Sequence, residues 1–176
     1  MTITIREAGL ADAAIIHDTG IRTYKDHFSE IWTAEGLEDY LHLHFNMERL
    51  NAGLSTKSIR YFIAFLDEFP IGLMKVKLNR PLPCPPHDNG TELEKIYLLK
   101  KHTGKGFGEE MLQFIIRFAV SVSGNFVWLN ALKSNPRATR FYEQHGFKLA
   151  GELPFATDLV SPGMWVMRRD IYTKSQ

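Results

Sequence analysis

The residues best suited to chemistry lie past the middle of the chain. Thr103, Gly104, Lys105, Gly106, Phe107 and Gly108 stand between a strand-like run and a long amphipathic segment. At such a junction, unpaired backbone N–H groups and the helix dipole favour an anion, and glycine lets the backbone approach a phosphate closely. A glycine triplet equally makes a tight turn with no ligand, so the loop alone does not decide. Two phosphate chemistries fail on neighbouring residues. A nucleotide triphosphatase loop needs Gly-Lys followed by Ser or Thr to hold magnesium, and here Gly106 follows Lys105. A dinucleotide site wants a carboxylate about 20 residues beyond the glycines, where this chain has Trp128, Leu129 and Asn130.

Glu92 and Glu94 occupy alternate positions of one strand and share a face if no bulge intervenes. A close pair of this kind raises the pKa of one carboxylate towards the range of a proton acceptor, although two solvated charges at a strand start explain it equally well. Tyr142 follows Asn135 by two helical turns, which places both on one helix face. Without further context Tyr142 reads as a core aromatic beside Phe141. His42 and His44, two apart on a helix, lack the spacing of a metal pair, and no metal is expected. Lys101 and His102 flank the glycine loop as a ribose-phosphate contact or as solvated charge. Cys84, set among Pro81, Pro83, Pro85 and Pro86, reads as a bystander.

The elements that must position these residues follow from periodicity. Residues 2–6 alternate as a short strand, and residues 10–24 and 33–54 repeat apolar side chains at helical spacing. Residues 60–66 and 71–78 form a hairpin, residues 79–90 a proline-rich loop, and residues 92–98 a further strand. Residues 106–122 make a strongly amphipathic helix, and residues 126–132 a buried strand. Asn135 and Pro136 supply an N-cap and first helical position, and Gly146 ends that helix. Residues 147–151 and 164–168 complete the order βααβββαβαββ, an α/β domain of the α+β type with a mixed, mostly antiparallel sheet of about seven strands.

With this order in place, residues 135–147 resemble the Asn-x-x-Ala-x-x-Phe-Tyr-x-x-x-Gly-Phe signature of the GNAT superfamily of N-acetyltransferases, position by position. Ile96, Tyr97 and Leu98 followed by the glycine loop are similar to that superfamily's donor-binding motif, except that Thr103 stands where Gln or Arg is usual. Thr23 to Phe28, Tyr40 and Leu41, Phe45 and Asn46, and Leu93 to Tyr97 are similar to PaiA-type polyamine acetyltransferases. The resemblance implies acetyl-CoA as co-substrate, bound by Ile96, Tyr97, Leu98, Thr103, Gly104, Lys105, Gly106, Phe107, Gly108, Glu109, Asn130, Asn135, Arg137 and Tyr142. It implies Tyr142 as the acid that protonates the leaving thiolate and a primary amine acceptor, with a polyamine such as spermidine or spermine leading; the proton acceptor that such an amine needs is then Glu92, Glu94 or a water chain. The exposed-looking acids Glu35, Glu38 and Asp39 suit a polycation, and equally an ordinary solvated face. The alternatives are another amine (an amino acid, an antibiotic or a protein N-terminus) or an acyl-CoA-binding sensor without turnover.

Composition bounds the rest. The chain has 176 residues, enough for one domain spanning residues 1–176 with its own core. Its 21 basic and 20 acidic residues nearly cancel, so no global field points to nucleic acid or an anionic membrane. A single cysteine excludes an internal disulfide, and Arg6 and Glu7 interrupt any leader-like apolar run, which together suggest the cytoplasm. Sheet edges and aromatics such as Trp32 leave room for a homodimer.

Overall fold

The computed structural model describes residues 2–171. A seven-stranded sheet in the order β1-β2-β3-β4-β5-β7-β6 forms its centre. The strands are β1 (Thr4–Glu7), β2 (Ile59–Leu66), β3 (Phe69–Pro81), β4 (Asn89–Leu98), β5 (Phe126–Leu132), β6 (Lys148–Leu153) and β7 (Met164–Asp170). The helices are α1 (Ala13–Phe28), α2 (Ala34–Phe45), α3 (Met47–Leu54), α4 (Phe107–Ser121) and α5 (Pro136–Gln144). All neighbouring strands are antiparallel except β4 and β5.

Three differences from the sequence expectation have local causes. The helix expected over residues 33–54 is two helices, because Asn46 leaves helical conformation at ψ 153° and caps α3 by accepting from the Arg49 N–H (2.8 Å). The proline-rich loop is shorter than expected, since β3 runs on to Pro81 and β4 starts at Asn89 with Arg80 opposite Gly90. The hairpin connection is also tighter: Phe69 already pairs with Leu66, leaving Asp67 and Glu68 as a two-residue turn at φ 47° and 71°.

The two sheet faces bury different material. Met111, Leu112, Ile115, Ile116 and Ala119 of α4 pack with Met74, Val76, Leu93, Val127 and Leu129 from the strands. On the opposite face, Phe45, Leu50 and Tyr24 from α1–α3 meet Ile63, Leu73 and Tyr61. A third, smaller cluster of Leu82, Cys84, Phe126, Trp128 and Val166 covers the β5–β7 end, and register puts it on the α1–α3 side. Between the two clusters on that side the sheet carries a polar strip.

Candidate active site

The site starts where two parallel strands separate. β4 and β5 pair only through Thr91 with Val127 and Glu92 with Trp128. β4 nevertheless stays on β3 as far as Leu98, and β5 stays on β7 as far as Leu132. A gap therefore opens inside the sheet, with Ile96, Tyr97 and Leu98 on one edge and exposed Asn130 on the other. Its edges offer backbone groups that an extended ligand can pair with as an added strand. A bulge marks the divergence: Lys75 faces Lys95 and Val76 faces Leu93, leaving Glu94 as the extra residue of β4.

The glycine loop lies at the C-terminal end of β4. Gly104 and Gly106 hold φ 75° and 85°, left-handed values that cost a residue with a Cβ about 1–2 kcal/mol. Gly106 is the N-cap of α4, and no side chain caps it, so the first-turn N–H groups are free to meet an anion. Buried Phe107 anchors that turn in the core. Thr103 directs its hydroxyl inward, donating to the Lys100 carbonyl (2.8 Å). The Glu109 side chain lies 3.5 Å from His145 Nε2, which leaves its backbone N–H as the group it can offer an anion.

Two residues of α1 hold this loop, a task that no local spacing signals. The Asp26 carboxylate accepts from the Lys100 N–H (2.9 Å), and His27 Nε2 donates to the Leu98 carbonyl (2.7 Å). Both fall within the Thr23 to Phe28 stretch noted above for its resemblance, but nothing local points to partners more than 70 residues away.

α5 forms the opposite wall. Pro136 occupies its first turn, and Asn135 Oδ1 accepts from the Ala138 N–H (3.1 Å), so this side chain caps its own helix and keeps only its amide N–H₂ for other contacts. Tyr142 is half-buried, edge-on to Phe141 and Phe147 and packed against the main core. Burial pushes its phenol up to about 12, so it holds its proton at neutral pH, and its proximity adds to the burial that raises Tyr97. Arg137 and Arg140 border an open depression of about 400 Å³. Phe141, which shares that depression, lies 4.0 Å from where a Cβ on Gly108 would sit, so the depression adjoins the glycine loop.

The two carboxylates share the strip face but meet different surroundings. Glu92 stands opposite Trp128 at the closed end of the gap, 3.6 Å from Arg80, and burial raises its pKa against the pull of Lys77. Burial would raise Glu94 too, but the ammonium groups of Lys95, Lys75 and Lys77 overcome it and hold that carboxyl at about 2. The bulge explains how Glu94 and Lys95, adjacent in sequence, share the face that carries Lys75 and Lys77. His42 and His44 stay on α2, with the His44 ring against Tyr40. Among the described residues no group of three or more His, Cys, Asp or Glu is arranged to hold a metal, and no helix is long and apolar enough to cross a membrane.

Comparison with known proteins agrees with this geometry. An uncharacterised N-acetyltransferase of Lactobacillus delbrueckii subsp. lactis is 24% identical over 133 residues, 76% of this chain and 77% of that one. The spermine/spermidine N(1)-acetyltransferase of Bacillus subtilis (strain 168) is 30% identical over 64 residues, 36% of this chain and 42% of its own length. The fold is shared with the PaiA N-acetyltransferase of Thermoplasma acidophilum, solved in complex with coenzyme A, at a TM-score of 0.78 and 20% identity over 97% of this chain and 100% of that one. Residues 21–147, which include the parted strands, the glycine loop and α5, match the Acetyltransferase (GNAT) family. The chain therefore belongs to that family and is an acetyl-CoA-dependent N-acetyltransferase.

Proposed function

We propose that the chain transfers an acetyl group from acetyl-CoA to a primary amine by direct attack within a ternary complex. The observation that carries this is the parting of β4 from β5 beside an uncapped helix start, which fits a long extended ligand ending in phosphates. Backbone groups of Ile96, Tyr97 and Leu98 line the extended arm, with the amides of Asn130 and Asn135 on its other side. The N–H groups of the loop from Thr103 through Gly104, Lys105, Gly106, Phe107 and Gly108 to Glu109 take the pyrophosphate. Arg137, with Arg140 beside it, faces the outer phosphate end. Bound acetyl-CoA supplies an activated acyl carbonyl and a thiol leaving group.

Tyr142 then acts as the acid: burial keeps it protonated, and it gives its proton to the coenzyme A sulfur as the C–S bond breaks. The tyrosinate so formed, a stronger base than the thiolate, recovers a proton from the N–H⁺ of the newly acylated nitrogen. An alkylammonium acceptor must lose a proton before attack, its pKa being about 10 as for lysine. Glu92 is the better acceptor of that proton, directly or through water, because three lysines hold Glu94 ionised and poorly basic.

A polyamine acceptor is supported by the names of partial relatives, among them the Bacillus subtilis spermine/spermidine enzyme, and by the exposed acids Glu35, Glu38 and Asp39 on α2. A second reading, an amine that also bears an anion, is favoured by the lysines of the polar strip. Thiol release from acetyl-CoA with spermidine, spermine, putrescine, lysine and a short peptide tests the reaction and ranks the acceptors. Release with at least one amine is expected. Binding of acetyl-CoA without release by any amine would turn the assignment towards a sensor.

A further inference from the structure

The polar strip on the α1–α3 face is unbalanced. β3 contributes Lys75 and Lys77 to it, and β4 contributes Glu92, Glu94 and Lys95. Lys75 and Lys95 are each 6% exposed, which is rare for lysine unless paired. All three lysines converge on Glu94: Lys75 Nζ at 3.1 Å and Lys77 Nζ at 2.6 Å from Oε2, and Lys95 Nζ at 3.5 Å from Oε1. Glu92 makes its ion pair with Arg80 and acts on Lys77 and Lys75 only at longer range. The helices packed over the strip add no anion, presenting His44 and Tyr40 from α2 and Arg49 from α3, and the neighbouring strand β2 adds only the Tyr61 ring. Three ammonium groups thus share one carboxylate. Lys95 is the least satisfied, with Glu94 as its one ion-pair partner among the described residues and the rings of Phe45 and Tyr97 at 5.5 and 5.9 Å.

Buried cations in excess are costly unless an anion completes them. We propose that the missing anion belongs to the acceptor: the amine acetylated here carries a carboxylate or phosphonate that docks on Lys75, Lys77 and Lys95. The inference rests on the acetyl-transfer reading and names its substrate class. Position supports it, because Glu94 and Lys95 form the bulge immediately before Ile96, which puts Lys95 on the strand that edges the gap where amine and thioester must meet, while Lys75 and Lys77 reach Glu94 from the neighbouring strand β3. Lys77, with its side chain 23% exposed, provides the approach from solvent. The aromatic wall of Tyr24, Phe28, Tyr40 and Tyr97 offers an apolar lining for the acceptor's body. The same field disfavours the charged form of the acceptor's ammonium, leaving more of the neutral nucleophile at a given pH. A polyamine would add further positive charge to a strip that already holds too much.

The test compares leucine, phenylalanine and β-alanine, each against its carboxamide, with spermidine as the polycation. Binding to the enzyme–coenzyme A complex is read by calorimetry and turnover by thiol release with acetyl-CoA. We expect at least one acid to bind about tenfold more tightly than its amide, a preference lost in Lys77→Gln and restored in Lys77→Arg. Equal binding of acid and amide, tighter binding of spermidine, or equal weakening of acid and amide in Lys77→Gln would overturn the proposal and leave the lysines a structural cluster. Selective binding of the acid without thiol release would support the anion site and count against acetyl transfer, which keeps the two readings separable.

Discussion

Glu94 makes the sharpest single-residue statement. It is the one carboxylate among three lysines, so Glu94→Gln leaves buried cations without their partner and should destabilise the fold by about 3–5 kcal/mol, measured by urea unfolding at pH 7. Its pKa is lowered on folding, from an ordinary value of 4.5 to about 2. Its stabilisation is therefore complete above about pH 5 and is lost as the pH falls towards 2, and Glu94→Gln should remove that part of the acid dependence. Gly106→Ala places a Cβ in open space but at φ 85°, so a cost of about 1–2 kcal/mol from the backbone alone is expected, with weaker acetyl-CoA binding as the loop distorts. Tyr142 stood out only through the motif that residues 135–147 resemble, while the glycine loop was legible in the sequence because its spacing is local, one loop before a helix. The lysine strip was not, because Lys75, Lys77 and Lys95 meet only through a strand register containing a bulge, and alternation gives no sign of an extra residue. Asp26 and His27 stayed hidden for a similar reason, as their partners are backbone groups of a distant strand end.

At the scale of elements, hydrophobic periodicity located all seven strands and the main helices, and it erred where polar groups override periodicity. Asn46 interrupts a continuous apolar repeat because its side chain caps the following helix, a competition that a count of apolar positions does not register. Composition places Pro81 and Asn89 in a loop, yet tertiary pairing between β3 and β4 extends both strands into it. The β2–β3 turn shows the reverse case, in which the connection was expected and its tightness was not. Asp67 and Glu68 both adopt left-handed conformation without a glycine. Glu68→Gly should therefore stabilise the protein by about 0.5–1 kcal/mol in thermal or urea unfolding, the relief of a strained turn exceeding the added chain entropy.

At the scale of the molecule, the connection between β6 and β7 is tied to the start of α2. Asp158, in the β6–β7 connection, accepts from the Thr33 N–H (3.0 Å) and from its hydroxyl, while Thr157 donates to the Ile31 carbonyl. The connection thus reaches from the β7 side over to the start of α2. Gly36 permits this approach, since a Cβ there would lie 2.1 Å from Asp158 Oδ2. Gly36→Ala should break the clasp, seen as faster amide exchange in residues 155–163 and a raised acceptor KM with the acetyl-CoA KM little changed. The clasp lay beyond the sequence because it joins two loops 125 residues apart through side chains with no pattern of their own. The central claim, acetyl transfer with Tyr142 as the acid, is tested most directly by Tyr142→Phe, comparing acetyl-CoA binding by calorimetry with thiol release in the presence of the best acceptor. Loss of one buried hydroxyl that acts only as the thiolate forms should lower kcat about 10²–10⁴-fold while leaving the acetyl-CoA Kd within about twofold. A variant with unchanged kcat, or one whose kcat falls only in step with acetyl-CoA binding, would contradict it.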